Sequence, residues 1–361
     1  MKQLIKHEKR IPVTTWRWLK VNDAELTLYG DDREAFPVVR IPSQVRYSHS
    51  LPEYDLSRDA AGYFNSDEVR SFLDQYANSS HYITIPENYT AKEPILLVFD
   101  LKDGSPVLTD DVIIEAEEGS KATVIIQYCS NAGDFHHCGR TRVIAKKNAS
   151  IELIKAQLLD HTSTHTDSIG VYVEEHARAR VLLAEMGAAN PLSSCNIVLS
   201  GEESEAELDI LYYGNQNRSI DLSSRVEHRG EKSKSRIRAQ GILTDHSKKI
   251  LRDTLDFISG SKGSKGREEE QVLMLDPHVK NVSVPILLCG EDDVEGEHAA
   301  SSGKPDDKKM FYLMSRGISE SEARKLLAEA AFSSIVETIP EEGTKNKILN
   351  TLRISITGGE G

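Results

Sequence analysis

Short clusters of small and charged residues return along the chain at nearly constant intervals, and this spacing constrains the fold more than any other feature. EEGSKA begins at 117, KKNASI at 146, EEHARA at 174, GEESEA at 201, GEKSKS at 230 and GSKGSK at 260, so successive starts lie 29, 28, 27, 29 and 30 residues apart. Each cluster is flanked by short β-prone runs: VIIEA and TVIIQY, RVIA and IELIKA, GVYV and RVLLAE, NIVLS and ELDILYY. Their period-two alternation marks half-buried strands. A unit of strand, tight turn, strand and longer loop cannot bury its own apolar face and must stack on its neighbours. The expected fold is therefore mainly β, a right-handed β-helix or closely related stacked-strand solenoid. A six-residue aliphatic repeat is absent, which argues against a left-handed hexapeptide solenoid. A β-sandwich would not need such even spacing.

The regions on either side differ in character. Residues 1–105 read as a mixed α/β N-terminal region. Ser66 is placed to cap a helix in NSDEVRSFLDQYA with Val69 and Phe72 inward, and ITIPENYTAKEPILLVFDL reads as two strands around a loop. Trp16 and Trp18 suit core or inter-domain packing, or a ligand platform. Residues 106–303 form the expected solenoid, and 304–361 a helical cap. There DDKKMFYLMSRGI reads as a helix ending at Arg316 and Gly317, and Ser319 with Glu322 makes a capping box. Ala323, Leu326, Leu327, Ala330 and Ala331 follow at helical spacing, Pro340 ends that helix, and KNKILNTLRI forms another. Such a cap would hide the last strand edge or present an apolar face to a partner.

Charge and motifs exclude several functions. With 44 basic against 57 acidic residues, net −13, and no basic block, the chain is a poor nucleic-acid binder. No apolar run approaches a membrane span, and MKQLIKHEKRIPVTTWRW lacks the apolar core of a signal peptide, so a cytoplasmic location is expected. Four scattered cysteines, at 129, 138, 195 and 289, do not make a disulfide framework. There is no phosphate-binding G-x-x-x-x-G-K-[ST] loop, nucleophile elbow, H-E-x-x-H or C-x-x-C, and GSKGSKG falls on the repeat's turn. His136, His137 and Cys138, with Cys129 upstream, have metal-compatible side chains on what reads as a loop. His161 and His165 occupy the equivalent loop one repeat later. Asp160, Asp167 and Asp209 would suit a polysaccharide-active β-helix, but only 6% of the chain is aromatic.

The segment DDVEGEHAASSGKPDDKKMFYLMSRGISESEARKLLAEAAFSS, residues 292 to about 332, closely resembles the C-terminal signature of the SufB/SufD family of iron–sulfur cluster assembly proteins. The likeness continues more loosely over the strand repeats and is weak over the first hundred residues. It implies a β-helix core and a non-catalytic scaffold subunit that pairs with a SufB-like paralogue or a second copy of itself. It also implies a SufC-like ABC ATPase docked on the C-terminal helices, through Phe311, Tyr312, Arg316, Gly317, Leu326 and Leu327. The cofactor implied is a transient Fe–S cluster shared with the partner, none being tightly bound. SufB-type chains carry a cysteine on the strand upstream and a glutamate after the signature histidine. Here that strand reads REEEQVLML and Ala299 follows His298, which favours SufD; Gly296 stands where many SufD chains have cysteine. His298 is then the cluster or iron ligand at the subunit interface, or a surface histidine making an interface hydrogen bond. Glu297, Cys289 and Glu270 are weaker candidates. Cys289 is expected to be a buried thiol, Glu297 an oxygen ligand or a solvated acid. A homodimeric SufB-like scaffold and a carbohydrate-active β-helix enzyme are the alternatives.

Overall fold

The computed structural model describes residues 1–8, 21, 24–53, 67–102 and 106–356. Ser66, Trp16 and Trp18 lie outside the described residues. The chain opens with an antiparallel pair, β1 (Lys2–Glu8) and β2 (Ala24–Tyr29), followed by short strands β3 (Val38–Arg40) and β4 (Arg46–Ser48) and helix α1 (Asp67–Tyr76). Val69, Phe72 and Leu73 form the buried face of α1. They pack with Ile5, Leu26 and Leu28 on the outer side of the solenoid.

Eight coils follow, each with one strand in either of two facing parallel sheets. In chain order they are β5 (Ser79–Ile85) and β6 (Ile95–Leu101); β7 (Val107–Ala116) and β8 (Lys121–Ser130); β9 (His136–Ala145) and β10 (Ser150–Leu158); β11 (Thr164–Val173) and β12 (Arg178–Glu185); β13 (Leu192–Leu199) and β14 (Glu205–Gly214); β15 (Ser219–His228) and β16 (Lys234–Leu243); β17 (Lys248–Phe257) and β18 (Ser264–Met274); β19 (Lys280–Cys289) and β20 (Val294–Gly303). Odd strands pair in one sheet and even strands in the other, so the repeat read from the turn clusters is the length of one coil. Parallel pairing begins with β5 and β6, ahead of residue 106.

The turn clusters are the corners between the sheets, and each places a left-handed residue at the equivalent position: Gly119, Asn148, His176, Glu203, Lys232 and Gly263, with φ between 54° and 73°. The amide of each donates to a carbonyl of the next corner, at 2.7–3.1 Å. The residue after each is buried and small: Ser120, Ala149, Ala177, Ser204, Ser233 or Ser264. Small residues are required because the corners stack closely, and the left-handed residue turns the chain from one sheet to the other. Between the sheets, inward Val, Ile and Leu side chains from successive coils form one continuous apolar core.

Three helices follow the last coil: α2 (Asp307–Ser315), α3 (Glu320–Val336) and α4 (Glu342–Ile356). Arg316 caps α2, Gly317 takes φ 88°, and the Ser319 hydroxyl accepts from the Glu322 amide, as the sequence indicates. The buried face of α3 differs from the expected stripe. Ala323, Ala328, Phe332, Ile335 and Val336 are buried, whereas Leu326 is exposed and Leu327 half-buried. The reason is placement: α3 and α4 lie on the outer flank of the even-strand sheet, against Ile154, Leu182, Leu211 and Ile242, and not over the last coil. They therefore do not hide the final strand edge. The first coil is covered by β3 and β4, which pair antiparallel with β6 and β5, whereas among the described residues β19 and β20 each have a neighbour on one side only.

An L-residue in the left-handed region is strained by about 1–2 kcal/mol, which glycine avoids while losing more backbone entropy. Replacing the exposed corner residue Glu203 by Gly is therefore expected to stabilise the chain by about 0.5–1 kcal/mol. Urea denaturation would measure the change, and a fall in stability would show that the side chain outweighs the strain.

Candidate functional site

The uncovered eighth coil is where the signature histidine lies. DDVEGEHAASSG is not a loop: Val294 to Gly303 form β20, in register with β18. The backbone groups on the side facing β18 are satisfied by that strand, which is how so polar a stretch becomes ordered. Strand alternation then fixes where each side chain points. On β18, Gly266, Glu268, Glu270 and Val272 face inward and are buried. Their register partners Gly296, His298, Ala300 and Ser302 occupy the same face one coil further on. Across the interior, β19 turns Ser283, Leu287 and Cys289 inward, as partners of Leu251, Leu255 and Phe257. Gly296 faces Leu287 so closely that a Cβ would meet its Cδ1 at 2.6 Å. A cysteine there would require Leu287 to move.

With no ninth coil among the described residues, this inward face lies open. His298 is exposed, Leu287 is 47% exposed, and Cys289 is exposed instead of buried as expected, because nothing stacks on its rung. Glu297 and His298 leave opposite faces of the strand; the Glu297 carboxylate lies outside, 3.7 Å from the Arg267 guanidinium. The two do not converge.

Beneath the opening the interior is polar. Lys249 on β17 is fully buried and ion-paired with Glu270, and its ammonium also donates to the Ser283 hydroxyl at 3.0 Å. Glu270 further accepts from the Tyr212 hydroxyl at 2.9 Å and from Ser283. So Glu270 is enclosed by three donors. Glu268 is 6% exposed and has no hydrogen-bond donor among the described residues. Burial, with the carboxylates of Asp253 and Glu270 adding to it, pushes its carboxyl up to about 9. Sequence reasoning missed Glu268; its only signal was its place in REEEQ, one coil before His298.

The other sequence candidates are dispersed. His136, His137 and Cys138 start β9 and His165 lies on β11, so these segments are strands and not loops. His137 and His165 stack inside the solenoid, Nδ1 to Nδ1 2.7 Å, and His137 Nε2 contacts Asp110 Oδ1 at 2.5 Å. Cys138 points outward into the apolar contact with α1 and β2, and burial pushes its thiol up. His161 is exposed beside Asp160, and Cys129 lies 3.9 Å from Lys347 on α4. Among the described residues, no three His, Cys, Asp or Glu side chains converge to hold a metal ion. Asp167 is paired with Lys155 inside the solenoid, and Asp209 with Arg180 and Arg238 on its flank. The three acids thus share no groove, and the geometry does not support the carbohydrate-active reading.

The second exposed feature is α2, which buries no side chain completely. Phe311 is 75% exposed, Tyr312 58% and Met314 45%, and the Arg316 guanidinium lies 5.3 Å from the Tyr312 ring centre. Leu326 adds to the exposed apolar surface of this region. No helix among the described residues is long and apolar enough to cross a membrane.

These features define a parallel β-solenoid with one uncovered end, a histidine on its last rung and a helical extension that exposes aromatic residues. A family model described as SUF system FeS cluster assembly, SufBD core domain, matches residues 99–331. The chain belongs to the SufB/SufD family and is most like SufD. The iron-sulfur cluster assembly protein SufD of Bacillus subtilis is 26% identical over 278 residues, covering 76% of this chain and 64% of that protein. SufD of Escherichia coli is 24% identical over 315 residues, 85% and 74% of the two chains. A SufBD family protein of Pyrococcus horikoshii is 25% identical over 248 residues, 60% and 55%. The chain thus spans a little under two thirds of the length of the B. subtilis relative.

Two predictions concern the polar interior. Glu270→Ala leaves the buried Lys249 ammonium without its carboxylate and should cost about 3–5 kcal/mol in urea denaturation. The second concerns pH. Burial lowers His137 and His228 to about 3, and His81 and His165 to about 4, from an ordinary 6.5. Below pH 6.5 the unfolded chain takes up protons on these four rings that the folded chain refuses, so stability falls with pH. Asp110, raised to about 6, and Glu268 act in the opposite sense but are outnumbered. The denaturation midpoint should drop between pH 7 and 5, and His228→Asn should flatten that drop.

Proposed function

We propose that this chain is a SufD-type scaffold subunit of an iron–sulfur cluster assembly complex, without turnover of its own. The observation that carries this reading is the uncovered eighth coil, which places His298 on an exposed rung at the end of a solenoid of this family. An open strand edge is a template for pairing with another chain. The free edges of β19 and β20, with the exposed Leu287 beside them, suit a second solenoid that continues the sheets. The partner is a SufB-like chain or a second copy of this one. The nascent cluster, or iron on its way into it, is cargo held transiently where the two chains meet. A neutral imidazole such as that of His298 is a borderline ligand suited to iron.

The unpartnered aromatic side chains of α2 support a second contact. Large apolar groups in a cluster on a helix mark a protein interface more often than a solvated surface. We assign this surface, around Phe311, Tyr312, Arg316, Gly317, Leu326 and Leu327, to a SufC-like ATPase. Nucleotide hydrolysis would then reside in a separate chain, in keeping with the lack of a phosphate-binding loop in this one.

Co-purification of the tagged full chain, with native mass, tests the reading. Recovery of an ATPase together with a SufB-like chain supports the heterodimer, and an ATPase with two copies of this chain supports the homodimer. Recovery of neither overturns the reading. Phe311→Glu is expected to lose the ATPase and keep the second chain. His298→Ala removes little buried surface, so stability should change by no more than about 0.5 kcal/mol. The iron and sulfide content of the assembly should fall, and unchanged content would remove His298 from the ligand set.

A further inference from the structure

We propose that Cys129 and Lys347 are a modification site, which peroxide joins in a reversible sulfur–nitrogen crosslink that fastens α4 to the flank of the solenoid. Strand alternation puts Ile125, Gln127 and Cys129 on the outer face of β8. This is the flank against which α4 packs through Ile348 and Leu352. The Gln127 side chain ties the two elements together. Its nitrogen donates to the Thr344 hydroxyl at 2.6 Å, and its oxygen accepts from the Lys347 ammonium at 2.7 Å. The second bond holds the Lys347 nitrogen 3.9 Å from the Cys129 sulfur. Cys129 is half-buried and Lys347 exposed, so a small oxidant reaches the pair. By contrast, Cys138 and Cys195 are buried in apolar clusters.

One hydroperoxide supplies the chemistry. Hydrogen peroxide oxidises the Cys129 thiol to a sulfenic acid and is itself reduced to water. A sulfenic acid condenses with a nearby nitrogen nucleophile. The neutral amine of Lys347 attacks the sulfenic sulfur, an S–N bond forms, the S–O bond breaks, and the hydroxyl leaves as water with one amine proton. The pair has then given two electrons to peroxide. An added dithiol reverses the step, returning the thiol and the amine and closing to a disulfide. Burial raises the Cys129 thiol, and the Lys347 charge draws it part of the way back. The thiolate is the reacting form, so the crosslink forms faster in mildly alkaline solution.

The test is treatment of the reduced full chain with hydrogen peroxide at about pH 8.5, near the ordinary range of a thiol, followed by digestion and mass spectrometry. Peroxide is raised until the exposed Cys289 is oxidised, which shows that the reagent has acted. A peptide joining Cys129 to Lys347, two hydrogens lighter than its reduced parts, should appear and be lost on adding dithiothreitol. The urea midpoint of the treated chain should rise, because the bond closes a long loop, and return with dithiothreitol. Lys347→Arg keeps the charge and a donor for Gln127 but removes the nucleophilic amine. In that variant Cys129 should be labelled by dimedone, a sulfenic-acid trap added after the peroxide, whereas in wild type the crosslink has consumed the sulfenic acid. Cys129→Ser should give no linked peptide and no rise in midpoint. Circular dichroism checks that both variants are folded. Absence of the linked peptide from wild type while Cys289 is oxidised overturns the proposal. Equal dimedone labelling of Cys129 in wild type and folded Lys347→Arg also overturns it.

Discussion

In-register stacking of one coil on the next is the constraint on which the rest of this structure depends. Every inward position is covered by its equivalent one coil away, so corner, core and polar rungs all form ladders. The corner ladder sets the repeat. A left-handed residue followed by a small buried one turns the chain, and its amide bonds to the next corner. Because the corners are in register, the strands between them are in register too. Branched aliphatic side chains from successive coils can then join in one continuous interior cluster.

The same rule explains the open end. A ladder stops satisfying its last rung where coils stop, and here β19 and β20 are that rung. At the other end, the short antiparallel strands β3 and β4 cover the first coil. The two ends of the solenoid are therefore chemically different. One is closed by its own chain, and the other exposes backbone edges, Leu287, Cys289 and His298 above a buried polar floor. Among the described residues, the edge protection that most sheets keep is absent at this end.

The polar floor also reflects a balance of energies. A buried ion pair such as Lys249 with Glu270 adds little net stability, since desolvation offsets most of the attraction. Three donors to Glu270 make it tolerable. Glu268 has no such set and lies directly under His298. In the N-terminal half, His137, His165, Asp110 and Lys155 show that polar groups within this solenoid are accommodated by pairing with one another across coils.

The sequence by itself determined the repeat, the strand runs, the caps of α2 and α3 and the family likeness. These are local or periodic signals, written in residues close together in the chain. Gly317 and Ser319 act within one helical turn, and the corner clusters recur visibly because each repeats the same backbone problem. It did not reveal that EGEHAASSG is a strand, since that segment owes its order to β18 and has no apolar alternation of its own. Nor did it place Glu297 and His298 on opposite faces, expose Cys289, or bury Glu268 beneath the histidine. Tertiary structure alone decided these, because each depends on which coil stacks on which and on where the stacking ends.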